Sequence, residues 1–231
     1  MATGDYNLAA TARAIGEPAR AAMLLRMMDG RRHTARELAD VAGVVPSTAS
    51  AHLGHLVRAG LVTAVAEGRT RLHALASPEV AAVLEALAAV SPLLPVESLR
   101  EARIGSRLRA ARLCYSHLGG RLAVVLTRAL VDGGVVGELA EGASSTVHSF
   151  DHPLLRALDI TDLPPGSAPA ARGCLDWTKR APHLAGRLGT AVATRLLDHG
   201  WLRRRPRDRA LTITPTARAH LDRLGLGSAA N

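Results

Sequence analysis

"TARELADVAGVVPSTASAHLGHLVRAGLV", residues 34–62, carries two helix signals separated by a tight turn. Thr34 followed three residues later by Glu37 is a capping-box start, and Gly43 supplies an ending, so the first helix is short. In the second, Ala49, Leu53, Leu56 and Val57 share one face, while Ser47, Thr48, Ser50, His52 and His55 lie largely off it. Upstream, apolar residues recur at helical spacing from Leu8 to Met28 and are interrupted at "GEPAR", where Gly16 stops one helix and Pro18 suits the first turn of another. Downstream, "LVTAVAEGRTRLHAL" predicts two short strands around Glu67 and Gly68, with Arg69 and Arg71 near the tip of the hairpin. A helix capped by Ser77 follows in "SPEVAAVLEALAAV". This is the element order of a winged helix-turn-helix, whose second helix enters the DNA major groove.

Composition points the same way. The 231 residues are 48% hydrophobic but only 2% aromatic, so the core must be built from Leu, Val and Ala, which pack helix on helix. A mainly α protein with small β-hairpin wings is expected. The formal charge of +9, nearly all of it arginine because Lys179 is the single lysine, favours a polyanionic partner through counterion release. Two Cys 60 residues apart form neither a disulfide framework nor a zinc-finger spacing, which fits a reducing cytoplasm. The N-terminus "MATGDYNLAATARAIG" lacks a long apolar stretch, and no charge-free run approaches 18 apolar residues, so neither a secretion signal nor a membrane span is expected.

Residues 8–90 resemble the bacterial ArsR/SmtB family of transcriptional repressors. The resemblance is carried by "GEPARAAMLLRM", by the helix-turn-helix stretch quoted above and by the wing "EGRTRLHAL". It implies that Ser47, Thr48, Ser50 and His52 face DNA, that Arg69 and Arg71 reach the backbone or minor groove, and that outer helices form a homodimer on a palindromic double-stranded operator. Metal-sensing relatives carry a Cys-x-Cys pair where this chain has Thr34 and Arg36, and others use Asp and His on the helix after the wing, which here has neither. A signal would therefore be sensed elsewhere.

The proline-rich "SPLLPVES" separates an N-terminal domain, 1–95, from a C-terminal domain, 96–231, that most members of that family lack. The second domain aligns with itself at an offset of 66: "HLGGRLAVVLTRALVDGGVV" from His117 matches "HLAGRLGTAVATRLLDHGWL" from His183 at eight of twenty positions. Each copy reads as a helix leading to a strand, and after the second copy a basic hairpin in "WLRRRPRDRALTIT" and a helix from Pro215 give a winged-helix-like ending. Helical spacing would put Cys114, His117 and Arg121 on one side, with Arg180, His183 and Arg187 in the other copy after "CLDW".

Three readings of this region stay open. Cys114, Tyr115, His117, Arg121, Asp176, Trp177, His183 and Arg187 could line a small-molecule effector pocket, with the aromatics as walls and the His and Arg pairs orienting the ligand. Cys114, His117, Cys174 and His183 could instead ligate a metal such as zinc or copper, or a haem. Or the cysteines are small buried hydrophobes and the repeated His and Arg tie helices together. Two further classes compete with a repressor: an enzyme with Cys114 as nucleophile and His117 or His183 as base, which lacks any oxyanion-hole motif, and a nonspecific architectural DNA binder.

Overall fold

The computed structural model describes residues 6–92, 95, 97–206 and 208–227. The first five residues of the N-terminal stretch, and Leu93, Leu94 and Val96 of the proline-rich break, lie outside the described residues. The chain divides into two compact units, Met1–Ala81 and Ala82–Asn231.

In the first unit the helices are α1 (Leu8–Ile15), α2 (Pro18–Met27), α3 (Ala35–Ala42) and α4 (Pro46–Arg58), and the strands are β1 (His33–Thr34), β2 (Val62–Glu67) and β3 (Thr70–Leu75). The local chemistry explains the boundaries. Glu17 caps α2 by accepting the Arg20 N–H, and Pro18 opens the helix where no N–H is required. Thr34 and Glu37 form a reciprocal capping box on α3, and Gly43 ends that helix at φ 66. The strands make an antiparallel sheet in the order β1-β3-β2, and the two-residue turn of the wing has Gly68 at φ 60. Met23, Leu24, Met27, Leu38, Leu53 and Leu56 are fully buried among α2, α3 and α4. Beside them Asp29, also buried, sits 2.8 Å from His33 Nε2 and 2.5 Å from Arg26 Nη1.

α5 (Pro78–Val90) carries the chain across the division, so the second unit begins within this helix and ahead of the proline-rich break expected to separate the domains. Glu85 belongs to this second unit, where it is buried and pairs with Arg112 and Arg209. The unit continues with α6 (Leu99–Ala110), β4 (Arg112–Cys114), β5 (His117–Gly119), α7 (Arg121–Asp132), β6 (Ser144–Ser145), α8 (Pro153–Ala157), β7 (Ala171–Asp176), β8 (Ala181–Ala185), α9 (Gly186–Asp198), β9 (Leu202–Arg204), β10 (Leu211–Ile213) and α10 (Pro215–Arg223). Its sheets are small: β4-β5, β6-β7-β8 and β9-β10. One leucine-rich core, including Leu118, Leu122, Leu126, Leu188, Leu196 and Trp201, joins both aligned stretches.

Those two stretches take the same local form, but it is not the form expected. Cys114 and His117 do not lie on one helix; they face each other across the β4-β5 hairpin, and the helix starts only at Arg121. Two residues break the helical reading. Tyr115 turns the hairpin at φ 60, and Gly120 sits at φ 92 with its Cβ position 3.0 Å from the carbonyl oxygens of Ala110 and Arg109, where a side chain would be both strained and crowded. In the second copy Cys174 pairs with His183 across β7-β8, and α9 begins at Gly186.

Candidate functional site

On α4 the exposed stripe runs through Ser47, Ala51, His55 and Arg58, with Ser50 beside it and Thr48 half-buried. Ser50 Oγ donates to the Pro46 carbonyl at 2.9 Å. His52 turns towards α2 instead: its Nδ1 is 3.5 Å from Arg20 Nη1 and 3.7 Å from Glu17 Oε2. Arg69 and Arg71 are exposed on the wing. His55 and Arg58 extend the candidate DNA face beyond the residues expected from sequence to contact DNA, and the spacing of His55, eight residues or two helical turns from Ser47, was the available signal.

In the second unit the two Cys–His pairs converge. In-register pairing sets each sulfur beside an imidazole on its own hairpin, and the hairpins meet so that His117 Nε2 and His183 Nε2 are 3.1 Å apart and Cys114 Sγ and Cys174 Sγ are 3.9 Å apart. All four donor atoms lie within 4.8 Å of one another. Backbone proximity makes this possible: a Cβ on Gly189 of α9 would come within 2.4 Å of the Leu184 carbonyl, so only glycine lets α9 lie this close to β8. Thr127 of α7 accepts the Leu184 N–H at 2.8 Å and fixes β8 from the other side.

Behind the donors lies a buried charge network. Asp176, fully buried, is 3.0 Å from Arg112 Nη2 and 3.7 Å from His183 Nδ1, and it accepts the Gly120 N–H at 2.7 Å. Burial alone would raise its pKa, but the Arg112 charge, the Thr178 hydroxyl and the Gly120 N–H outweigh it and hold the carboxyl at about 2. Glu85 is likewise held below its ordinary value, since the charges of Arg209 and Arg112 overcome its burial. Two carboxylates thus face two guanidiniums. The Arg112 guanidinium also covers the Trp177 ring at 4.8 Å.

Hydrogen bonding to Cys174, followed by burial, pushes the Cys114 thiol up to about 12. A neutral buried thiol is a poor nucleophile, so the arrangement does not equip Cys114 for covalent catalysis.

Of the residues named from sequence, Cys114, His117, Cys174 and His183 come together, Asp176 backs His183, and Trp177 stacks on Arg112. Arg187 is elsewhere, donating to the carbonyls of Ala168 and Pro164, and Tyr115 is half-buried at the hairpin turn. The space between the two halves, lined by Leu118, Leu126, Thr127, Leu130, Leu184 and Val192 among others, is a cavity of about 10 Å³, room for one water at most. An organic ligand or a porphyrin needs a volume on the order of 300 Å³ or more. The donor cluster therefore suits an ion rather than the aromatic-walled pocket expected from the sequence. Arg112, Glu85 and Arg209 were missed; the lone acid in the apolar helix "AAVLEALAAV" was the available clue.

A family profile described as "Helix-turn-helix domain" matches residues 15–65. The HTH-type transcriptional regulator YdfF of Bacillus subtilis is 36% identical over 214 residues, covering 92% of this chain and 94% of the relative. Among solved structures, the cadmium metal-sensor CMTR from Mycobacterium tuberculosis is 33% identical over 39% of this chain and 93% of its own, with a TM-score of 0.32. The homodimeric winged helix-turn-helix DNA-binding domain Mb0332 of Mycobacterium bovis, a possible ArsR-family regulator, is 23% identical over 37% of this chain and 86% of its own, with a TM-score of 0.32. No described helix is long and apolar enough to cross a membrane. A capped helix-turn-helix, a basic wing and a regulator relative that matches along nearly the whole chain lead to one assignment: the chain belongs to the HTH-type transcriptional regulators, which are DNA-binding proteins and not enzymes.

Proposed function

We propose that the protein is a cytoplasmic, homodimeric repressor that binds a near-palindromic operator and is controlled by an effector held at the junction of the two Cys–His hairpins. The observation that carries this reading is the convergence of four buried or half-buried donor side chains, drawn from two hairpins, in a regulator whose Thr34 and Arg36 replace the metal ligands of related sensors. Ser47, Thr48 and Ser50 at the start of α4 supply contacts to base edges, with His52 supporting the helix through Arg20 and Glu17. Arg69 and Arg71 add phosphate contacts that raise affinity with little base discrimination. A second copy of the chain suits the exposed stripe Val83, Leu87 and Val90 on α5, spaced i, i+4, i+7. Effector binding shifts the dimer towards a geometry in which the two recognition helices no longer span both half-sites.

Selection of bound sequences from random duplex DNA tests the reading. A two-fold-symmetric consensus with half-sites about 10 bp apart is expected, bound at least ~1,000-fold more tightly than random DNA. Binding that tracks salt with no consensus would replace the repressor with an architectural DNA binder.

A further inference from the structure

The paired hairpins have the dimensions of a coordination shell. Zinc bonds thiolate sulfur at about 2.3 Å and imidazole nitrogen at about 2.05 Å, which around a tetrahedral centre sets two sulfurs about 3.8 Å apart and two nitrogens about 3.3 Å apart. The sulfurs here are 3.9 Å apart and the ring nitrogens 3.1 Å apart. The sulfur–nitrogen edges, up to 4.8 Å here against about 3.6 Å around a tetrahedral centre, would close by side-chain movements of about 1 Å.

We infer that Cys114, His117, Cys174 and His183 bind one divalent, thiophilic cation of the zinc group in a closed tetrahedral site, and that this cation is the effector. The second part rests on the regulator reading above; the first stands without it. This position is separate from Thr34 and Arg36, and from the helix after the wing, where the family resemblance would have placed a metal.

Three features choose the ion. Sulfur and nitrogen donors disfavour magnesium and calcium, which take oxygen. The surrounding buried charges cancel, Asp176 and Glu85 against Arg112 and Arg209, so the added centre should itself be neutral. A divalent ion with two thiolates and two neutral imidazoles meets that condition, whereas monovalent copper would leave one uncompensated negative charge. Binding replaces two S–H bonds with two metal–sulfur bonds: each thiol gives a proton to the buffer, and no electron is transferred.

The surroundings supply an orienting partner. His183 Nδ1 is buried and has no hydrogen-bond partner, and it faces Asp176 Oδ2 across 3.7 Å. A metal on Nε2 places the ring proton on Nδ1 and aims it at that carboxylate, the usual way a second residue holds a ligating histidine.

The test uses the full chain, purified under reducing conditions and stripped of metal, with cobalt(II) as probe. One equivalent per chain, intense tetrahedral ligand-field bands, a thiolate-to-cobalt charge-transfer band, two protons released per ion and displacement by zinc are the expected results. Cys174→Ser and His117→Gln, each confirmed as folded by circular dichroism, should weaken cobalt binding by more than the 10–100-fold typical of losing an outer-shell partner. Octahedral cobalt, less than about one tenth of an equivalent, or a spectrum unchanged in both variants overturns the site. Tetrahedral binding that leaves the affinity for selected operator DNA unchanged keeps the site and removes only its role as effector.

Discussion

Glu85→Gln should destabilise the second unit by about 2–4 kcal/mol. Glu85 is 4% exposed, and its two oxygens lie 2.8 Å from Arg209 Nη1 and 3.6 Å from Arg112 Nη2. Removing one member of a buried ion pair costs ~3–5 kcal/mol because the partner charge stays behind without compensation. Glutamine has nearly the same shape and can still accept from Arg209, so the expected cost lies towards the lower end. Urea unfolding followed by tryptophan fluorescence measures it cleanly, since Trp177 and Trp201 are the only tryptophans and both lie in residues 82–231. The pH dependence is a second check. Burial would raise the Glu85 pKa, but Arg209 and Arg112 hold it below its ordinary 4.5, so its contribution is fully present above 4.5 and is lost as pH falls through the lowered folded value. The gap between wild type and variant should stay flat from about pH 7 to 5 and narrow below about 4.5. A difference under ~0.5 kcal/mol at neutral pH, or a gap indifferent to acid, would refute the charge network.

Asp29→Asn should cost the winged-helix unit about 2–4 kcal/mol, read by amide hydrogen exchange of α2 and α3, because Arg26 and His33 would be left buried beside a neutral group; unchanged protection would count against it. Gly120→Ala should cost at least ~1–3 kcal/mol in the same fluorescence assay, since the residue sits at φ 92 with two carbonyl oxygens 3.0 Å from its Cβ position. Arg69→Ala should weaken operator and random DNA alike and make the slope of log affinity against log salt shallower by about 0.9; a steady slope would remove this wing contact. Ser47→Ala, at an exposed position on α4, should instead lower the ratio of operator to random affinity, and an unchanged ratio would move base reading elsewhere on the helix.

The winged-helix unit was legible because its signals are local. Thr34 with Glu37, Gly43, Pro18 and the turn at Gly68 each act within four residues, and the structure uses every one. The second unit was legible as a pattern but not as a conformation. Cys114, His117 and Arg121 stand at helical spacing, so Cys114 and His117 were assigned to one helix, yet the hairpin turn at Tyr115 and the close backbone approach at Gly120 are set by tertiary contacts with no local signature. Gapless alignment at His117 and His183 also hid the cysteines. The first hairpin turns in two residues and the second in four with longer strands, so the paired cysteines are offset by 60 while the histidines are offset by 66. Glu85, Arg112 and Arg209 are far apart in sequence, and only the folded core joins their charges.

Operator affinity measured with and without one equivalent of zinc, for wild type and Cys174→Ser side by side, shows whether the paired hairpins control DNA binding. Zinc should weaken wild-type binding about 5–150-fold, the range of an allosteric coupling of ~1–3 kcal/mol, and leave the variant unchanged. Equal wild-type affinities in both conditions, or the same response in the variant, would contradict control of DNA binding through the paired Cys–His hairpins.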